Sequence, residues 1–285
     1  MTALPWRATR LAATFLTGAA LALAGLLAPA AAHAQTGNVV TFGDSYTASP
    51  NERTNTLHIR GSSAFVPNDY PRRGPCLQGP DNWPRQLAAQ TGLQVDDWSC
   101  NAETTQRMLG RVTHAIESGD IHPGTRAVIF AIGGMDYGLT EGAPITNINA
   151  MNERYANMMR GVADQVRQVA PDAQLIISGY PQVTNDTGIC MVQVIPTLPL
   201  GVPVPGGFAE DVLANMQRYG AEAAGMDFVD NRELTRGHNT CAVNDAQRYV
   251  SGLVDFTSPT YEMTLHPTNL GHSAIAAHNA AALGY

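Results

Sequence analysis

Two hydrophobic patterns alternate along this chain. Short β-branched runs stop at glycine or serine, and longer stretches place apolar residues three and four apart. The runs are 38–42 (halted by Gly43), 94–99, 126–132 (halted by Gly133 and Gly134), 174–178 and 226–229. Helical spacing covers 84–91, 104–118, 149–169, 208–224 and 269–283, and Pro171 stops the third of these. Strands alternating with helices imply right-handed crossovers and a mostly parallel sheet covered on both faces, an α/β sandwich of three layers. Segments 47–82 and 181–207 fit neither pattern, and the second contains five prolines. No repeat and no shift in composition marks a second domain.

The first residues follow a different logic. Arg7 and Arg10 precede an almost unbroken apolar stretch over 11–27, then Pro29 and the small-residue sequence Ala32-His33-Ala34. This order predicts a secretory signal over 1–34, cleaved before Gln35, with one folded domain over 35–285. An uncleaved membrane anchor is the alternative. No second run of spanning length follows, so the product is expected to be soluble once exported, with no stable membrane span.

Export changes the reading of the cysteines. Cys76, Cys100, Cys190 and Cys241 are an even set, and in an oxidising compartment two disulfides are the default. Of the three pairings, Cys76–Cys100 and Cys190–Cys241 each bracket one long loop segment and are the expected pairs. Metal ligation would need a close Cys spacing that is absent. All 17 basic residues are Arg, which removes Schiff-base and lysine-activated chemistry. A net charge of −7 without a run of like charges argues against a nucleic-acid partner.

Ligands of such sheets sit beyond the carboxyl ends of the strands. There the chain carries Gly43-Asp44-Ser45-Tyr46, Cys100-Asn101-Ala102 and Gly133-Gly134-Met135-Asp136, and Leu265-His266-Pro267 precedes the last helix. A serine, a histidine and two backbone turns meeting at one edge would suit acyl transfer. In block order and over the whole mature chain, the sequence resembles the GDSL, or SGNH, hydrolases, in particular secreted bacterial esterases. The resemblance implies a flavodoxin-like sheet, Ser45 as nucleophile, His266 as general base, and no metal or cofactor. It implies an oxyanion hole built from the N–H groups of Ser45 and Ala102.

Two positions depart from the family pattern. Met135 stands where the family has an oxyanion-binding Asn, and a thioether donates no hydrogen bond. Asn101, beside the usual glycine position now held by Ala102, is a substitute donor by adjacency alone. The family's acid, three residues before the histidine, is replaced by Met263. A main-chain carbonyl from Met263 or a neighbour, or the carboxylate of Glu262, is left to orient the imidazole. Asp44 and Asp136 read as turn residues, and His272 as structural. The loops 47–82 and 181–207 are expected to wall the pocket, with Ile195, Leu198, Leu200, Val202 and Val204 forming an acyl-binding surface. That surface points to a lipid or a short- to medium-chain acyl ester, acted on by a monomer. A polysaccharide acetylesterase and a non-catalytic binding protein of the cell envelope are the competing readings.

Overall fold

The computed structural model describes residues 37–285 except 63, 65, 137–146 and 204–205, so the expected signal at 1–34 lies outside the described residues, as does Val204. The elements are β1 (Val39–Gly43), α1 (Ser45–Ala48), α2 (Glu52–Ile59), β2 (Arg72–Arg73), β3 (Cys76–Leu77), α3 (Trp83–Thr91), β4 (Val95–Asp97), α4 (Thr105–Glu117) and β5 (Ala127–Ala131). They continue with α5 (Ile148–Val169), β6 (Gln174–Ser178), β7 (Ile189–Gln193), β8 (Leu200–Val202), α6 (Gly206–Ala224), β9 (Asp227–Val229), α7 (Asn231–Leu234), β10 (Val254–Asp255) and α8 (Asn269–Ala282).

The main sheet has the order β4-β1-β5-β6-β9 with every pair parallel. Alternation along the strands divides the core in two. Val128, Phe130 and Ile132 face Met108 and Val112 of α4, Tyr155 and Met159 of α5, and Met216 of α6. Ala127, Ile129 and Ala131 face Trp83 and Leu87 of α3 and Ile275 and Ala280 of α8. Both faces are therefore dry, which is why these strands read as unbroken apolar runs. Three helices lie on one side and two on the other, giving a three-layer α/β/α sandwich. Helices start where a side chain can take an orphan amide: Asn82, Thr104 and Thr268 accept from the N–H groups of Arg85, Arg107 and Gly271.

In chain order the sheet runs second, first, third, fourth, fifth strand, so crossovers leave β1 in opposite directions. The crevice beyond the carboxyl ends of β1 and β5 is the topological switch point where such sheets bind ligands. Elsewhere, segment 181–207 is not plain loop. It contributes β7 and β8, which join β10 in a small sheet of order β10-β7-β8. Disulfides join Cys76 to Cys100 and Cys190 to Cys241. Among the described residues no helix is long and apolar enough to cross a membrane.

Candidate active site

The turn after β1 is built around close contacts. A Cβ at Gly43 would lie 2.2 Å from Thr47 Oγ1 and 2.8 Å from the Ala131 carbonyl, so only glycine lets the chain turn here. Asp44 then caps α1 by accepting the Tyr46 N–H at 2.9 Å, which presents Ser45 as the first residue of the short helix. The Ser45 hydroxyl sits 2.8 Å from His266 Nε2.

His266 lies on a loop that is held from several directions. Its Nδ1 is 2.8 Å from the Thr264 carbonyl. A carbonyl only accepts, so Nδ1 carries the proton and Nε2 is left as the acceptor for the Ser45 hydroxyl. Leu265 adopts φ 58°, a left-handed conformation, and is pinned there. Its carbonyl accepts from Tyr46 Oη at 2.7 Å and its N–H donates to Gly252 O at 3.2 Å. The N-terminus of α2 grips the same loop: Glu52 accepts from the N–H and hydroxyl of Thr264, and Asn51 donates to Glu262 at 2.9 Å. Glu262 is thus corrected as a third triad member. Its carboxylate is engaged by Asn51, and the Thr264 carbonyl, one residue from Met263, holds the imidazole. Burial lowers the His266 pKa below the ordinary value, opposed by the Thr264 carbonyl and the charge of Glu52. The ring is therefore neutral, as a base must be, at neutral pH.

A cavity of about 320 Å³ opens between Ser45 and His266 and is lined also by Met135, Tyr180, Val183 and Leu213. Its walls come from the turns after β5 and β6 and from α6. This corrects the expected acyl surface: Ile195, Leu198, Leu200 and Val202 are exposed on and beside the small sheet and do not line this cavity. The segment forms strand β8 and its approach, and its Pro199, Val202 and Pro203 line a separate cavity beside the Cys190–Cys241 bridge. Segment 181–207 reaches the cavity at the active site through Pro181 and Val183, whereas segment 47–82 does not line it.

The oxyanion candidates divide. The Cys100 N–H bonds the Gly43 carbonyl at 2.9 Å, so the 100–103 turn is tied to the strand that delivers Ser45. Ala102 takes φ 57° there, the conformation for which glycine is the natural occupant. Neither Ala102 nor Asn101 lines the cavity, whereas Met135 does. Asn101 and Ala102 thus share one position: the 100–103 turn that carries both lies outside the cavity lining. Asp136 accepts the N–H and hydroxyl of Thr105, joining the turn after β5 to the start of α4.

Two residues missed in the sequence stand beside Ser45. Tyr180, past the end of β6, accepts the Gly134 N–H at 2.8 Å and bonds Asp44 Oδ2. Tyr46 packs edge-on to Tyr180 at 5.2 Å and lies 4.6 Å from the His266 ring. Tyr180 was findable by the strand-end rule that located the other turns, since 174–178 is an obvious buried strand. Burial pushes the Asp44 carboxyl up to about 7, with the bonds from Tyr180 and the Tyr46 N–H opposing and Asp136 and Glu103 adding to the rise. His272, one turn into α8, is fully buried and its pKa is driven down to about 3. No group of three or more His, Cys, Asp or Glu converges as a metal site among the described residues.

Comparison with known proteins bears on this geometry. The profile of the GDSL-like Lipase/Acylhydrolase family matches residues 41–274. Lipase 2 of Streptomyces coelicolor is 26% identical over 319 aligned positions covering 99% of each chain. Phospholipase A1 from Streptomyces albidoflavus NA297 superposes with a TM-score of 0.58 at 21% identity, covering 87% of this chain and 98% of that one. The extracellular lipase of Streptomyces rimosus gives 0.57 at 20% identity, covering 86% and 98%.

Proposed function

Because this chain belongs to the GDSL-like lipase/acylhydrolase family and is a carboxylic ester hydrolase, we propose that it works through Ser45 and an acyl-enzyme. The observation that carries this reading is the relay Ser45 Oγ–His266–Thr264 O, with both contacts at 2.8 Å, opening onto an apolar cavity. Ser45 Oγ attacks the ester carbonyl while its proton passes to Nε2. The imidazolium formed is stabilised by the Thr264 carbonyl and, through space, by Glu52. In this reading the developing oxyanion is taken by the Ser45 N–H and by the Ala102 N–H, the latter on the 100–103 turn that is tied to β1 through Cys100 but does not itself line the cavity. Collapse expels the alkoxide, which takes the proton from Nε2. Water then repeats the sequence on the acyl-enzyme and releases the acid.

Met135, Pro181, Val183 and Leu213 offer the acyl chain a wall with little hydrogen-bonding capacity. That favours lipid or short- to medium-chain acyl esters over an acetylated sugar, whose acetyl group would cover little of this wall. The signal-like residues 1–34 and the two disulfides support secretion of the 35–285 domain, as the name of the Streptomyces rimosus relative suggests. Turnover of a p-nitrophenyl ester series tests the mechanism. Ser45→Ala should lower kcat by about 10³-fold or more, and a fluorophosphonate should label Ser45 alone. Equal rates for variant and wild type, or an adduct on another side chain, would overturn the reading.

A further inference from the structure

The cavity contains one hydroxyl whose position the serine mechanism leaves unexplained. The side chain at position 135 supplies no donor, because a thioether has no proton to give. Tyr180 lines the same cavity as Ser45 and His266, and its Oη bridges the residues that precede both key positions: Asp44 before Ser45, and Gly134 before Met135. The close fit needs glycine, since a Cβ at Gly134 would lie 3.1 Å from Tyr180 Oη and 3.3 Å from Asp44 Oδ2.

Resting on the serine mechanism above, we propose that Tyr180 is a further catalytic residue, whose phenol O–H is the third oxyanion donor in place of a side chain at 135, with Asp44 controlling the release of that proton. A phenol has one proton and two lone pairs. When Asp44 is ionised, it accepts the phenol proton and none is left for substrate. When Asp44 is neutral, its own O–H fills one lone pair of Oη, the Gly134 N–H fills the other, and the phenol proton turns to the cavity. A neutral Asp44 also removes a negative charge from beside the oxyanion.

Of the groups around Asp44, the carboxylates resist its ionisation, while the bonds from the Tyr180 hydroxyl and the Tyr46 N–H favour it and are outweighed by burial. Tyr46 follows on α1 and Tyr180 on the turn after β6. Asp136 and Glu103 come from the turns after β5 and β4, Tyr155 from α5, Glu210 from α6, and His266 from the loop before α8. Burial among them is what raises the carboxyl to about 7.

The test is steady-state hydrolysis of p-nitrophenyl butyrate from pH 5 to 9 by wild type, Ser45→Ala, Tyr180→Phe, Asp44→Asn and the double variant Tyr180→Phe/Met135→Asn. Tyr180→Phe should lower kcat about 100-fold with KM within a few-fold, the signature of a lost oxyanion donor. Adding Met135→Asn to it should restore at least about tenfold, because an amide donor then occupies the vacant role. Wild-type kcat should fall above pH 7, whereas the Asp44→Asn profile, whatever its absolute rate, should show no such fall relative to its own value at pH 6. A Tyr180→Phe kcat within threefold of wild type, absence of rescue, or an Asp44→Asn profile that still falls would each overturn the proposal. If Tyr180→Phe does not fold, the Asp44→Asn profile decides. Failure with Ser45→Ala inactive sinks the tyrosine alone, whereas an active Ser45→Ala sinks the serine mechanism itself.

Discussion

Ala102 holds a φ of 57°, where its Cβ crowds the following carbonyl, on the turn that follows β4. Glycine would relieve that crowding at the cost of a looser unfolded chain. Ala102→Gly should therefore raise stability by up to about 1 kcal/mol, read from a shift in urea midpoint at unchanged slope. Ser45 and His266 were legible at this scale because each sits in a motif at a strand or helix boundary. The partner of His266 was not, because a carbonyl leaves no mark in a sequence and the acid at Glu262 drew attention instead. Tyr180 was legible only as a residue past a strand end, not by its partners. It stands two residues beyond β6, in no recognisable motif, and only the fold brings it to Gly134 and Asp44.

Among the elements, α2 was invisible in the sequence, and it is the one that steadies the base. Its first turn places Glu52 against Thr264, the residue whose carbonyl holds His266. The negative charge favours the imidazolium, so Glu52→Gln should lower the His266 pKa further. The acid limb of kcat/KM, already below the ordinary histidine value, should move to lower pH while KM stays constant. An unmoved limb would show that Glu52 only fastens the loop. The strands of the main sheet were read to within a residue or two because both faces are buried and the runs are apolar throughout. α1, β8 and β10 are too short for periodicity to register, and β7 is obscured by the proline-rich segment that follows it. Their shape comes from the Gly43 turn and from pairing across the small sheet, which are contacts distant in sequence.

For the molecule as a whole, two buried groups set opposing pH dependences. Asp44 is raised from 3.8 to about 7, so the folded state holds its proton where the unfolded chain does not, and stability is lost as pH rises between those values. His272 is lowered from 6.5 to about 3, so stability is lost as pH falls through that window. Between about pH 4 and 6.5 the two slopes nearly cancel. His266 and His278, also lowered, add to the acid-side loss. Asp44→Asn removes one arm of this balance. The variant should be more stable than wild type at pH 8, by about 4 kcal/mol, and should surrender that advantage on acidification to pH 4, as thermal melts across the range would show. The bridge from Cys76 to Cys100 bears on a different question, how the molecule comes to exist at all. It ends one residue before the turn carrying Asn101 and Ala102, and with its fellow at 190 and 241 it closes loops of 24 and 51 residues. Such closures are worth about 3 to 4 kcal/mol each, together close to the whole margin of a domain. Synthesis in a cytoplasm rich in glutathione would therefore give a chain near its melting threshold, and a recombinant host must supply an oxidising route for it.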